Sequence, residues 1–273
     1  METVLLLDFQ NFAWKGVVDF KNAKDPSYTI VFNFFRNIKN LIEQFYPVKI
    51  FLCGEGGKTF RHDLYSGYKA NRIVKTAEEA HSQKTLQAFY TQTDIIWDTV
   101  KHLPLHRVFA SGFEADDVIA TLVADLKDED VIIVSNDSDY TQLLQKPDIK
   151  NLTIFNPFTR EYVDAPLYHY LTYKICVGDT ADNIPGLISP KKALALAVEP
   201  KALATFIASS EEVRANYCLN KALIELNPIP LDKLIFKPYD MNYNEIRLAF
   251  DKMGFRSITK NFASFTETFT SLH

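Results

Sequence analysis

The stretch GFEADDVIATLVADLKDEDVIIVSNDSDYTQLL, Gly112 to Leu144, constrains this chain more than any other. Glu114, Asp116 and Asp117 open what the spacing of Val118, Ile119, Leu122, Val123 and Leu126 predicts to be an amphipathic helix. Glu114 and Asp117, three apart, share a face of its first turn, where carboxylates also gain from the helix dipole. Val131 to Ser135 (VIIVS) then reads as a buried strand of parallel type that runs straight into Asn136, Asp137, Ser138 and Asp139. Ligand sites of open α/β sheets lie beyond the carboxyl ends of the strands, so this second acid pair stands where chemistry is usually done. So many carboxylates repel one another unless something positive sits between them. Magnesium and manganese do this well, because they prefer oxygen ligands and take one or two carboxylates each. Capping of a helix and a loop is the alternative for either cluster alone; the number of acids argues against it.

The rest of the chain supplies more acids at strand ends. Thr3 to Leu7 (TVLLL) is a short apolar strand ending in Asp8. Between Tyr28 and Tyr46, Ile30, Val31, Phe34, Phe35, Ile38, Leu41, Ile42 and Phe45 recur at helical spacing, and Pro47 stops that helix. Val48 to Leu52 is a second strand, followed by a glycine-bearing loop that carries Glu55. A helix is expected from Thr76 to His102, a strand around Arg107 to Ala110, and an edge strand from Asn151 to Phe155. Alternating strands and helices imply a mostly parallel sheet with right-handed crossovers. From about Asp164 the chain changes to helices joined by Pro-containing loops, with another acid pair, Asp179 and Asp182, three apart. Helix capping is the alternative for that pair also.

Composition narrows the class. A chain of 273 residues that is 47% hydrophobic has ample material for a large core. Its first residues lack a basic region and cleavage site, and no apolar run nears the roughly 18 residues that cross a bilayer; an intracellular, cytoplasmic protein is expected. Three cysteines without paired spacing indicate neither a disulfide framework nor a zinc site, and His62, His81, His102, His106 and His169 show no paired metal spacing. The formal charge of −4 argues weakly against general nucleic-acid binding, but the charge is unevenly spread. Between Gly56 and Lys75, Lys58, Arg61, Lys69, Arg72 and Lys75 face a single acid, Asp63, and Phe60, Tyr65 and Tyr68 are interleaved with them. Such a segment can bind phosphates and stack on unpaired bases; a solvated helical face is the alternative. No GxGxxG or GxxxxGK[ST] pattern is present, which argues against a dinucleotide or P-loop site.

Taken together, LLLDFQN, KTFRHDLYSGYKANR, GFEADDVIATL, SNDSDYTQLL and GDTADNIPGL, in this order between about Val4 and Leu196, resemble the flap endonuclease and 5′-to-3′ exonuclease family. Members are fused to bacterial DNA polymerase I or carried separately by bacteriophages. RLAFDKMGFRSI, from Arg247, is weakly similar to the family's closing segment. The resemblance implies an α/β fold: a PIN-like or resolvase-like nuclease core over 1–163, with an arch over 56–100, and a helical DNA-binding region over 164–273, with a helix-hairpin-helix over 178–197. By position, Asp8, Glu55, Glu114 and Asp116 match the family's first-metal ligands, and Asp117, Asp137, Asp139, Asp179 and Asp182 the acids ascribed to the second. Two Mg2+ or Mn2+ ions are therefore implied. Lys69 and Arg72 match cations that engage the scissile phosphate, with Arg61 as companion; Tyr68 would stack on a flipped terminal base. Lys58, Lys75, Lys191 and Lys192 join the implied nucleic-acid contacts.

Two departures from the family pattern stand out. Glu55 takes the place of a common aspartate, and the hairpin GLISPKK, Gly186 to Lys192, has one glycine where repeated glycines usually let carbonyls hold K+ against DNA. The activity implied is two-metal hydrolysis of branched, nicked or 5′-flap DNA and RNA:DNA hybrids in replication or repair. A freestanding monomer of the phage branch, working beside replication proteins and away from membranes, is the expectation. A PIN-type ribonuclease would leave the basic segment and the hairpin without a role, and a silent flap-binding protein would have no need of every acid cluster. An aspartyl phosphatase would want an acid where Gln10 stands.

Overall fold

A computed structural model of the chain describes residues 1–22, 26–70 and 77–272. Arg72 and Lys75 lie outside the described residues. Five parallel strands form the middle of the sheet: β1 (Thr3–Asp8), β2 (Lys49–Cys53), β3 (His106–Phe109), β4 (Asp130–Val134) and β5 (Leu152–Asn156). Their order is β5-β4-β1-β2-β3, and short antiparallel strands close the edges, β6 (Glu161–Tyr162) on β5 and β7 (Ile235–Lys237) on β3. The chain winds outward from β1 to β3 and then returns to the other side of β1 for β4. The winding direction thus reverses between β1 and β4, and that is where an open α/β sheet leaves a crevice at its carboxyl edge. Leu7 pairs with Val134 in the register, which sets Asp8 beside the start of the loop that carries Asp137.

Both faces of the sheet are covered, so β1 needs no polar alternation. Its side chains still alternate in direction. Leu5 and Leu7 enter one layer with Phe12 and Val17 of α1 (Phe9–Asn22) and Ile30, Phe34 and Ile38 of α2 (Thr29–Phe45). Val4 and Leu6 enter the other with Val118, Ile119 and Leu122, from the helix that follows β3. The helix α2 ends where Tyr46 turns left-handed (φ 47°) and its N–H donates to Ile42 O (2.9 Å), one residue before Pro47. After the short α3 (Phe60–Leu64), α4 (Ala77–Thr99) runs back along the first layer, and its expected last turn, Val100–His102, is a tighter 3₁₀ turn. The acidic helix is α5 (Ala115–Asp125).

Four helices, α6 (Tyr170–Val177), α7 (Pro190–Val198), α8 (Pro200–Ile207) and α9 (Glu211–Ile224), form the helical region expected after the sheet. The remainder returns to the core. Leu226, Ile229 and Leu234 pack in the second layer and β7 pairs with β3. Phe250 of α10 (Tyr243–Lys252), Phe255 before α11 (Arg256–Thr259) and Phe265 of α12 (Phe262–Glu267) fill the first layer. Residues 226–272 are thus part of the core by their packing. Residues 151–155 are not the edge, because β6 lies outside β5.

Candidate metal centre

Asp8 ends β1, and its buried carboxylate receives the Asn11 N–H on Oδ1 (3.1 Å). Asp116 lies in the first turn of α5, and Asp137 opens the 3₁₀ helix after β4 and accepts the Asp139 N–H (2.8 Å). The Tyr140 hydroxyl reaches Asp116 Oδ1 at 2.5 Å and Asp8 Oδ2 at 3.2 Å. Burial, with the charge of Asp137 added to it, raises the Asp8 pKa to about 6, against the lowering effect of the Asn11 N–H and Tyr140 hydroxyl. Burial likewise lifts Asp116 well above the usual carboxylate range, reinforced by Asp137, Asp8 and Glu114. Asp8 therefore feels the charge of Asp137, and Asp116 those of Asp137, Asp8 and Glu114, although the four come from three separate stretches of chain.

Glu114 caps the start of α5 and meets Lys69 Nζ at 2.7 Å and the Tyr68 hydroxyl at 3.0 Å. Lys69 Nζ also lies 4.0 Å from Asp182, and the Tyr68 hydroxyl 3.2 Å from the same carboxylate. The backbone joins the two segments as well: Lys69, left-handed at φ 56°, donates its N–H to Asp182 O (2.9 Å), and Asn183 Nδ2 donates to Gly67 O (2.7 Å). Gly178 sets up the 179–184 loop. Its φ is +72°, and a Cβ there would lie 2.4 Å from Ile184 O, so this close turn needs glycine.

On the far side Lys174 of α6 bridges Asp139 (2.9 Å) and Asp179 (2.7 Å). Burial opposes the charge on Lys174, but Asp139 and Asp179 hold its ammonium above the ordinary value. Asp139 itself is raised to about 6, by burial first, with Lys174 pulling the other way. Asp179 is lowered, since the Lys174 contact and the Ala181 and Asp182 N–H groups outweigh its burial. Lys174 has no signature in the sequence beyond standing five residues before Asp179 on a helix that packs toward the acids.

The donor set is rich in carboxylate oxygen, the chemistry that suits Mg2+ or Mn2+. Among the described residues no three of these acids converge on one point as the ligands of a bound ion do, and the Lys69 and Lys174 ammoniums stand between them. The raised acids have a direct consequence for stability. A carboxyl group whose pKa rises on folding binds its proton more tightly in the native state, so its stabilisation is greatest below about 4 and declines as pH climbs through about 6. In EDTA, Asp8→Asn is expected to raise urea stability at pH 7.5 by up to about 3 kcal/mol and by much less at pH 4.5. An equal effect at both pH values would contradict it.

Three expected roles are corrected by burial. The Asp117 carboxylate is clasped by Arg61 through two bonds (2.6 and 2.8 Å) and also receives the Glu114 N–H (3.1 Å), so its oxygens are taken up in organising the turn. Arg61 is 1% exposed, with Nε donating to Leu223 O (2.8 Å), and is out of reach of a phosphate. Tyr68 is 3% exposed, its ring packed with Ile184, Leu223 and Ile224 and edge-on to His62, so it is not available to stack on a base.

The remaining candidates lie nearer the surface. Glu55 stands exposed on the turn after β2. That turn is fixed beside the one leading to Glu114, because Gly56 N–H donates to Phe113 O (3.0 Å) and a Cβ on Gly56 would lie 1.7 Å from Ala110 O. Lys58 is exposed and paired with Asp63. Lys191 and Lys192 are exposed in the first turn of α7.

Comparison with known proteins agrees with this architecture. The chain is 29% identical to a 5′-3′ exonuclease of Mycoplasmopsis pulmonis, covering 98% of this chain and 96% of that protein. It is also 29% identical to DNA polymerase I of Mycobacterium leprae over 93% of its own length, but spans only 30% of that polymerase. The flap endonuclease of bacteriophage T5, solved as a pseudo-enzyme-product complex with DNA and metal ions, shares the fold, with a TM-score of 0.65 at 18% identity over 97% of this chain and 100% of that one. The zinc-bound T5 5′-exonuclease gives 0.62, again at 18%, over 97% of each chain. No helix among the described residues is long and apolar enough to cross a membrane. Residues 3–167, more than half of the chain, match the model of the 5′-3′ exonuclease N-terminal resolvase-like domain, and the chain belongs to that family.

Proposed function

We propose that this protein is a structure-specific 5′ nuclease, acting as 5′-3′ exonuclease and flap endonuclease on nicked or 5′-flap DNA and on RNA:DNA hybrids in replication or repair. The observation that carries the reading is that Asp8, Asp116 and Asp137, at the reversal point of the sheet, lie near enough for their charges to act on one another, with the carboxyl groups of Asp8 and Asp116 both raised by burial and by the charge of Asp137. Family membership supports it, as does the complex of the T5 enzyme with DNA and metal ions. Asp8, Glu114, Asp116 and Asp137 would hold one divalent ion, and Asp139, Asp179 and Asp182 the other, with Glu55 at the rim. When bound, Mg2+ or Mn2+ supplies an activated water and neutralises the attacking and leaving oxygens of an in-line displacement.

The chain's own side chains do the positioning. Lys69, whose left-handed backbone is tied to the 179–184 loop, would turn its ammonium from Glu114 to a substrate phosphate. Arg72, outside the described residues, would be the second cation on that phosphate. Lys58 and Lys75 would add phosphate contacts, as would Lys191 and Lys192 on the duplex, where a K+ ion on the hairpin carbonyls would add to the grip. A monomer working with replication proteins completes the proposal.

End-labelled flap, nicked and RNA:DNA substrates test it. Cleavage is expected with Mg2+ or Mn2+ and none in EDTA, with Lys69→Ala slower by about 10²- to 10³-fold in single turnover. Metal-independent cutting, or equal cutting of plain single-stranded RNA, would refute the reading; an unchanged Lys69→Ala rate would remove that residue from it.

A further inference from the structure

Tyr140 is not one of the acids, yet it touches two of them. Its ring is fully buried in the second core layer and is carried by the 3₁₀ helix, Ser138–Gln145, that follows β4. The hydroxyl emerges between Asp116 Oδ1 (2.5 Å) and Asp8 Oδ2 (3.2 Å). A phenol has a single hydrogen, so it cannot donate to both carboxylates at once. One O–H is therefore shared between an acid at the end of β1 and an acid in the first turn of α5. The ring is gripped by the core on all sides, so this pivot cannot swing away as an exposed side chain would. Asp8 is fixed from the other side by the Asn11 N–H on Oδ1 (3.1 Å), which leaves its plane defined by two bonds.

We infer that Tyr140 is a positioning residue: its hydroxyl orients the Asp8 and Asp116 carboxylates as a pair and thereby sets the affinity of the centre for divalent cations. The inference rests on the proposed role of these acids as metal ligands. Hydrogen-bond partners behind metal-binding groups fix the direction of their lone pairs, and their loss commonly weakens metal binding by about 10- to 100-fold. Nothing about the ring itself is required for this, so the effect belongs to one oxygen atom.

Tyr140→Phe keeps the ring and removes that oxygen. Mn2+ titration of the DNA-free full-length protein, read by the electron paramagnetic resonance of free Mn2+, is expected to give a Kd weaker by about 10- to 100-fold than wild type. In flap cleavage the half-saturating metal concentration is expected to move by the same factor, with kcat recovered at saturating Mn2+. Tyr140→Met, a flexible apolar replacement for the same space, is expected to match Tyr140→Phe and provides the same reading should the phenylalanine variant fold poorly. A wild-type Kd in both variants, with only the melting temperature in EDTA reduced, would make Tyr140 purely structural and overturn the inference alone. Absence of Mn2+ uptake by the wild type would overturn it together with the metal reading.

Discussion

Replacing Asp116 by Asn is expected to lower single-turnover cleavage of a 5′ flap by at least about 10³-fold, while leaving flap binding in Ca2+ or EDTA intact or slightly tighter. Asn keeps the shape of the side chain and its approach to the Tyr140 hydroxyl, so the fold has no reason to rearrange. The negative charge is what goes. Asp116 stands where the fields of Asp137, Asp8 and Glu114 overlap, and as a metal ligand there it would help supply the several kcal/mol of transition-state charge stabilisation that a bound ion gives. About 4 kcal/mol corresponds to the expected thousandfold. Substrate binding moves the other way, because removing a carboxylate relieves repulsion of the phosphate backbone. The metal-free protein is expected to melt at a higher temperature, since a buried charge among like charges has been neutralised. A variant within tenfold of the wild-type rate at saturating Mg2+ would show that Asp116 holds no catalytic ion.

The parts of this centre that could be read from the sequence are those whose signal is local. A strand that ends in an acid, or a helix that starts with three, announces itself within ten residues, and Asp8, Glu114, Asp116, Asp137 and Asp139 were all legible in that way. The helix α2 was equally legible, because its apolar stripe and the stop at Pro47 are both encoded within its own span. What escaped depends on partners distant in sequence. Arg61 looked like one cation in a basic run, and only the fold brings it to Asp117, 56 residues away, where desolvation commits both charges to each other. Tyr68 looked like a free ring until α9 covered it. The strand β7 has three exposed residues and no apolar alternation, so nothing local marks it; β3 creates it by offering an open edge. The helix α1 did carry a signal in Phe9, Phe12, Ala13 and Val17, but it starts directly after β1 without a turn residue to mark the boundary.

Arg61 and Asp117 lead to the second large effect, in stability. Arg61→Met is expected to destabilise the protein by about 3–5 kcal/mol, because it leaves the Asp117 carboxylate, 2% exposed, buried without its counter-charge. The guanidinium also holds Leu223 O of α9 (2.8 Å) and lies 4.7 Å from the centre of the Phe60 ring, so one side chain joins α3, α5 and α9. Asp117→Leu combined with Arg61→Met removes both charges at once and should recover much of that loss, since apolar pairs often replace buried ion pairs at little cost. Urea midpoints of the two single variants and the double variant measure the coupling. Arg61→Lys separates this structural account from the phosphate-binding role suggested by its place in the basic run. It preserves the charge but loses the two-pronged clasp, so stability should fall while the salt dependence of flap binding keeps the wild-type slope. A slope that drops by about one in Arg61→Met, measured where the variant is still folded, would mean that the guanidinium reaches the nucleic acid after all and that the clasp on Asp117 opens when substrate arrives.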